Sequence, residues 1–133
     1  MQEIILFDSG SFDPWYNLAV EEMLLDTVGE NQCLLYLWQN QNTVVIGKNQ
    51  NPWKECQTAV LEQEGGYLAR RLSGGGAVFH DLGNLNFTFL MNRAGYNLQK
   101  QLGVILAAVK ELGIPAEING RNDLIAGGRK FSG

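Results

Sequence analysis

Histidine is nearly absent from this chain, which carries one, His80, among 133 residues. A metal centre built from several imidazoles is therefore excluded, and no Cys–His spacing suggests a zinc cluster. Cysteine is equally scarce. Cys33 and Cys56 are the two thiols, and their apolar neighbours suit reduced cysteines better than a disulfide. Basic side chains are outnumbered, 10 against 14 acidic, for a net charge of −4. That balance argues against a nonspecific nucleic-acid partner, although a local basic pocket can sit in an acidic protein. No run approaches the ~20 apolar residues of a membrane span. The N-terminal stretch "MQEIILFDSGSFDPW" has neither a basic leader nor a long apolar core. The expected location is cytoplasmic, with neither membrane nor nucleic acid as partner. The spacings GxxxxGK[ST], GxGxxG and GxSxG are also missing, so an ordinary phosphate-loop ATPase and a hydrolase nucleophile elbow are unsupported.

What is present suits one globular domain: 45% hydrophobic and 10% aromatic residues, enough for a core. "EIILF" predicts a strand at Glu3 to Phe7, closed by the turn signals of "DSGSFDP". After Pro14, the spacing of Val20, Met23, Leu24, Thr27 and Val28 predicts a helix, with Asn17 as its candidate N-cap and Gly29 as its stop. "CLLYLWQ" and "NTVVIGKN" read as an antiparallel hairpin. "NPWKECQTAVLEQEG" reads as a helix capped by Asn51, with Pro52 at its first position and Gly65-Gly66 at its end. "YLARR" is a short strand running into three glycines. "LNFTFLM" predicts a strand with Leu85, Phe87, Phe89 and Met91 on one face and Asn86 and Thr88 on the other. Leu98, Leu102, Ile105, Val109 and Leu112 form the apolar stripe of a second long helix, ended by Gly113 with Pro115 beyond. "AEINGRNDLIAGGRKFSG" reads as two or three short strands joined by glycine turns. The order lacks a βαβ period, so the expected class is α+β: a mixed, mostly antiparallel sheet with packed helices and no internal boundary.

Two clusters carry chemistry. In "RRLSGGGAVFHD", residues 70 to 81, three glycines either bring backbone N–H groups to an anion or form a bend where two elements pass closely. Arg70 and Arg71 point to opposite faces of an extended strand, so one can reach a pocket while the other lies at the surface. Neither serves as a base, since a guanidinium stays charged. His80 and Asp81 suggest a base and its orienter, but adjacent side chains seldom face one another, and a structural hydrogen-bonding role fits His80 equally well. The second cluster, "GRNDLIAGGRKFSG", offers Arg121, Asn122, Asp123, Arg129 and Lys130. Lys130 is able to hold a carboxylate beside a phosphate, and Asp123 is able to hold Mg²⁺ through oxygen. Turn-capping Asn and Asp with solvated basic side chains is the alternative.

The strings "LARRLSGGGAVFHDLGNLNFTF", "LWQNQNTVVIGKNQNPWKEC" and "GRNDLIAGGRKFSG" together resemble the lipoate–protein ligase A family. The likeness starts at "FDPWYNLAVEE" and spans nearly the whole chain. Octanoyltransferases are similar in the same string, and biotin ligases more weakly. The resemblance implies the α/β catalytic fold shared with biotin ligases, represented by residues 1–133 as a part truncated at its C-terminus. It implies activation of lipoate by ATP and Mg²⁺ to lipoyl-AMP. Transfer then goes to a lysine on a lipoyl domain of a 2-oxoacid dehydrogenase E2 subunit, or on the glycine-cleavage H protein. By position, Arg71, Gly75, Gly76, Ala77, Val78, Phe79 and Asn122 would hold the nucleotide or adenylate. Arg70, Leu72, His80 and Phe87 would line the lipoyl side, Asp123 would lie by the metal, and Lys130 would be the catalytic lysine bridging carboxylate and phosphate. The rivals are an ATP-independent octanoyl or lipoyl transferase, a fragment that binds lipoyl domains without catalysis, and a stable α+β domain with incidental loops.

Overall fold

The structure is a computed structural model that describes residues 2–133. It divides into two compact units, Met1–Asn92 and Arg93–Gly133. No proline- or glycine-rich linker marks that division in the sequence.

In chain order the first unit carries β1 (Glu3–Asp8), α1 (Pro14–Thr27), β2 (Gln32–Trp38), β3 (Thr43–Ile46), α2 (Pro52–Glu55), α3 (Thr58–Gln63), β4 (Tyr67–Arg70), β5 (Val78–His80) and β6 (Asn86–Met91). The strands form two sheets, β1-β2-β6 and β4-β3-β5. In each, the central strand pairs parallel on one side and antiparallel on the other. Alternation along β2 sends Leu34, Tyr36 and Trp38 inward. The rings of Tyr36 and Trp38 stack at 5.7 Å. Val20 and Leu24 from α1 and Leu90 from β6 complete that core, each such side chain contributing about 1.5–3 kcal/mol of burial.

Three expectations change here. The N-cap of α1 is Asp13, not Asn17: its Oδ1 accepts from the N–H groups of Trp15 at 2.9 Å and Tyr16 at 3.2 Å. Asn17 lies one turn in and is fully buried. Second, β2 and β3 are not a hairpin. Both edges of β2 are taken, by β1 and β6, so the chain crosses at Gln39–Asn42 into the other sheet. A short gap between two apolar strands is compatible with either topology, and the buried Asn40 in that gap marks a crossing rather than a solvated turn. Third, the helix expected from Asn51 to Gly65 is two helices. Asn51 does cap the first, accepting from Trp53 N at 3.0 Å, but Cys56 is extended (φ −149°, ψ 161°) and separates α2 from α3.

The second unit carries a 3₁₀ turn at Arg93–Gly95, then α4 (Leu98–Glu111), β7 (Ala116–Asn119), β8 (Asp123–Ala126) and β9 (Arg129–Ser132). Asn97 caps α4 through Lys100 N at 3.1 Å. Leu102 of the expected stripe is buried, whereas Leu112 falls just past the helix end and is exposed. The three strands form an antiparallel meander. Gly127 (φ +57°) and Gly128 (φ +75°) make the two-residue β8–β9 turn, whose left-handed backbone matches the strand twist. The chain is thus α+β, with mixed but mostly antiparallel pairing. Among the described residues no helix is long and apolar enough to cross a membrane.

Candidate functional site

Strand β4 delivers Arg70 and Arg71 to the glycine loop, and both guanidiniums turn to backbone carbonyls. Arg70 Nη1 donates to the carbonyls of Gly47, Lys48 and Gln50 at 3.1, 3.1 and 2.7 Å, which fixes the loop after β3. Arg71 Nη2 donates to Gly74 O and Gly76 O, each at 2.7 Å, and Nε reaches Gly74 O at 3.2 Å. The two loops are also joined directly, by Lys48 N to Ser73 O at 2.8 Å and Arg71 N to Ile46 O at 3.0 Å. Gly47, which the sequence pattern did not single out, is needed for this approach. A Cβ there would run into the carbonyl of Gly75. Its only sequence signal is a glycine directly after a β-branched strand, the mark of close backbone approach.

Arg71 has a second consequence. In a trans peptide the C=O and the next N–H point opposite ways. With Gly74 O and Gly76 O drawn to the guanidinium, the N–H groups of Gly75 and Ala77 point away from it. Neither meets a backbone acceptor among the described residues. Gly75 takes the left-handed backbone this requires (φ +92°). The loop is thus a close packing of two loops, with the N–H groups of Gly75 and Ala77 left facing away from the guanidinium.

His80 ends β5 and is buried beside Trp38, their rings edge to face at 6.2 Å. Its Nδ1 lies 3.1 Å from Asn40 Nδ2 and 3.5 Å from Asn86 Nδ2. Asn40 Oδ1 in turn accepts from Asn17 Nδ2 at 3.0 Å. Burial, with a smaller push from the Arg71 charge, holds the His80 pKa below its ordinary value. Asp81 is not its orienter: Asp81 Oδ1 accepts from Gly83 N at 2.8 Å and closes the following turn.

The apolar candidates separate. Arg70 and Leu72 share a cleft of about 230 Å³ with Trp15, Leu18, Ala19 and Glu22. Phe87, Val78, Phe79 and His80 do not line that cleft. Val78 and Phe79 are exposed, and Phe87 packs half-buried against Phe89 at 6.2 Å. The polar face of β6 is the one turned to the core. Trp38 Nε1 donates to Thr88 Oγ1 at 3.1 Å, and Thr88 donates to Glu21 Oε1 at 2.7 Å. Cys33 is no activated nucleophile, because burial pushes its pKa up.

Within the second unit, Lys130 lies opposite Ile125 and its Nζ pairs with Asp123 Oδ1 at 2.9 Å. Asn122 sits exposed in the turn before β8. No cluster of three His, Cys, Asp or Glu side chains able to hold a metal occurs among the described residues. Asp123 is a lone carboxylate there, one of its oxygens paired with the Lys130 ammonium.

Comparison with known proteins decides the family. Residues 13–133 match the lipoyl protein ligase A/B catalytic domain. The chain belongs to this family. Lipoate-protein ligase A of Blochmanniella floridana is 51% identical over 132 residues, covering 96% of this chain and 39% of that protein. Among solved structures, Plasmodium falciparum LipL1 in complex with lipoate superposes with a TM-score of 0.86 at 35% identity, over 96% of this chain and 42% of that one. Thermoplasma acidophilum Ta0514 with bound lipoic acid gives 0.80 at 25% identity, over 98% of this chain and 59% of that one. The chain thus spans about two fifths of the curated family member it matches. Family membership agrees with the resemblance seen in the glycine string and with the α+β class.

Proposed function

We propose that this chain carries part of a site that activates lipoate with ATP and passes the lipoyl group to a protein lysine. The observation that carries the reading is the family match over residues 13–133, which includes a glycine loop whose N–H groups are held outward by Arg71. Residues 1–133 are then part of a larger catalytic domain, in keeping with the share of its relatives' length that the chain spans.

A lipoate carboxylate oxygen attacks the α-phosphorus of ATP, and pyrophosphate leaves. The ε-amine of an acceptor lysine then attacks the acyl carbon and AMP leaves. The backbone from Gly75 to Phe79 receives the phosphate and adenylate, with positioned dipoles stabilising charge as it develops. Arg71 serves that contact by shaping the loop, with Asn122 beside the nucleotide. Arg70 and Leu72, which share the cleft, belong to the lipoyl side, where the family likeness alone also puts His80 and Phe87. Lys130 supplies the positive charge between carboxylate and phosphate. Releasing it from Asp123 costs little, because an exposed pair of this kind is worth about 0–1 kcal/mol. Asp123 would lie by the magnesium ion, which would supply charge neutralisation of the nucleotide phosphates. No step here depends on its protein ligands. The acceptor is a lipoyl domain of a 2-oxoacid dehydrogenase E2 subunit or the glycine-cleavage H protein, and the setting is cytoplasmic.

ATP–pyrophosphate exchange with and without lipoate, on the full-length gene product and on residues 1–133, tests the reading. Lipoate-dependent exchange that Lys130→Ala abolishes is the expected result. Exchange indifferent to lipoate, or undiminished in Lys130→Ala, overturns it.

A further inference from the structure

The buried amides between α1 and β5 have no role in the scheme above, yet they are wired in one direction. Asn17 is fully buried, and its Nδ2 faces the backbone carbonyls of Ser11 at 3.0 Å and Gln39 at 2.9 Å. Carbonyls only accept, so this atom of Asn17 is its amide nitrogen. It also faces Asn40 at 3.0 Å, which makes the facing atom of Asn40 its oxygen. Asn40, itself fully buried, must then present its NH₂ to His80 Nδ1 at 3.1 Å. Asn86 points the same way: its Oδ1 accepts from Asn84 Nδ2 at 3.0 Å, leaving its own NH₂ toward Nδ1 at 3.5 Å. Two amide donors converge on Nδ1, so that nitrogen carries no proton and the proton of the neutral ring is on Nε2. The far end is anchored as well, since Tyr36 OH donates to Asn17 O at 3.1 Å.

The other nitrogen is free. Nε2 has no partner among the described residues, yet no side-chain nitrogen or oxygen of a non-exposed residue is both fully enclosed and unpartnered. Nε2–H therefore reaches the accessible surface of an otherwise buried ring. A locked nitrogen inside and an open donor outside is the arrangement of a fixed hydrogen-bond donor, not of a general base.

We propose that Asn17 and Asn40 are positioning residues that hold His80 as the neutral Nε2–H tautomer, and that Nε2–H donates to a carboxyl or acyl-carbonyl oxygen of the bound fatty-acyl substrate. The ligand half of this rests on the lipoate reading above; the tautomer half does not. Around His80 the neighbours are Trp38, Thr43, Asn40 and Asn86, with Arg71 as the charged group, so no carboxylate competes for its Nδ1.

Because His80 is the only histidine, nitrogen-detected NMR of the ring in residues 1–133 gives one pair of signals. At neutral pH, Nδ1 is expected in the unprotonated range and Nε2 in the protonated range. An Nδ1–H ring, an imidazolium or a rapidly averaged pair overturns the proposal. Asn40→Asp places an acceptor against Nδ1, so it should move the proton there or charge the ring, while Asn40→Leu should leave the tautomers averaging. A ring unchanged in Asn40→Asp overturns the lock, and the wild-type signal decides the matter even if both variants unfold. Titration with lipoate and with octanoate should shift Nε2 selectively. If Asn40→Asp moves the proton to Nδ1 and leaves Nε2 bare, acyl binding should weaken by about tenfold, the effect of roughly one charge-assisted hydrogen bond, whereas a charged ring keeps Nε2–H and its acyl binding. Saturable acyl binding that leaves Nε2 unmoved overturns the donor role. A correct tautomer with no acyl binding by calorimetry overturns the ligand half through the lipoate reading, and leaves the lock standing.

Discussion

The two glycine–basic clusters of this chain look alike as text and differ in physics. In the loop at Arg70–Gly76 both guanidiniums donate to backbone carbonyls, and the glycines allow two loops to touch. In the hairpin at Asp123–Lys130 the glycines supply positive φ at a two-residue turn, and the lysine meets only a carboxylate across an exposed strand pair. The first cluster uses its cations to build structure and leaves backbone N–H groups to face a ligand. The second builds its structure from turn geometry and keeps its cation exchangeable. Charge near glycine is thus no direct sign of an anion-binding side chain.

The strongest break of this contrast is Gly47→Ala. A methyl at Gly47 meets the Gly75 carbonyl, which is backbone and cannot swing aside. Overpacking of this kind costs about 1–3 kcal/mol, and the two loops should part. We expect a lower unfolding temperature and loss of lipoyl-AMP formation. Gly76→Ala is the control, since no atom lies within 4 Å of its Cβ and its φ is not positive. It should keep wild-type stability by thermal unfolding, and equal destabilisation of the two variants would refute the loop-contact account.

Next in size is Arg71→Gln. It removes the donors to Gly74 and Gly76, a loss of about 1–2 kcal/mol for hydrogen bonds from a charged group at a partly exposed site. Faster hydrogen exchange at residues 72–77, with slow exchange retained in β2, is the expected signature. The His80 pKa should also rise toward 6.5, because the Arg71 charge is one of the two causes that lower it, while burial keeps it below. The sign for stability follows. A depressed folded pKa means the unfolded chain binds more protons, so stability falls as pH drops below 6.5, and less so in Arg71→Gln.

These pairs also show what was legible in the sequence. The 3.6-residue stripes, Pro52 at a helix start and the glycine turns of the last hairpin gave their elements directly, because each is a local preference. The supposed β2–β3 hairpin failed because partner choice is non-local: β2 bonds Glu3–Asp8 and Asn86–Met91, far away in sequence. The expectation that Asn17 caps α1 fails for a related reason. Asparagine at a helix start is usually a cap, and only the burial of Asn40 and His80 beside it shows another use. The site was legible as a set of residue types at known spacing. Whether Arg71 faces phosphate or its own backbone was not, since that depends on carbonyl directions that no composition encodes.

A smaller break is Gly127→Ala, which puts a side chain at φ +57° and should cost about 1–2 kcal/mol locally. That cost falls on the β8–β9 turn alone, so the loop at residues 72–77 should keep its exchange rates. If the loop exchanges faster as well, the two clusters are not independent.

The smallest stability effect belongs to Lys130→Ala, and it sharpens the contrast most. Its ammonium pairs with Asp123 at 2.9 Å, but the two side chains are 57% and 36% exposed, so solvent screens the attraction. Exposed pairs contribute about 0–1 kcal/mol, and this one, on a short edge strand, belongs at the low end. Thermal unfolding of Lys130→Ala should therefore match wild type within about 0.5 kcal/mol, while lipoate-dependent pyrophosphate exchange disappears. Arg71→Gln should show the opposite pattern, a measurable loss of stability with activity reduced through the loop. A Lys130→Ala chain as destabilised as Arg71→Gln would mean that the lysine, too, is spent on structure, and the distinction between a cation that builds a site and one that acts in it would fail.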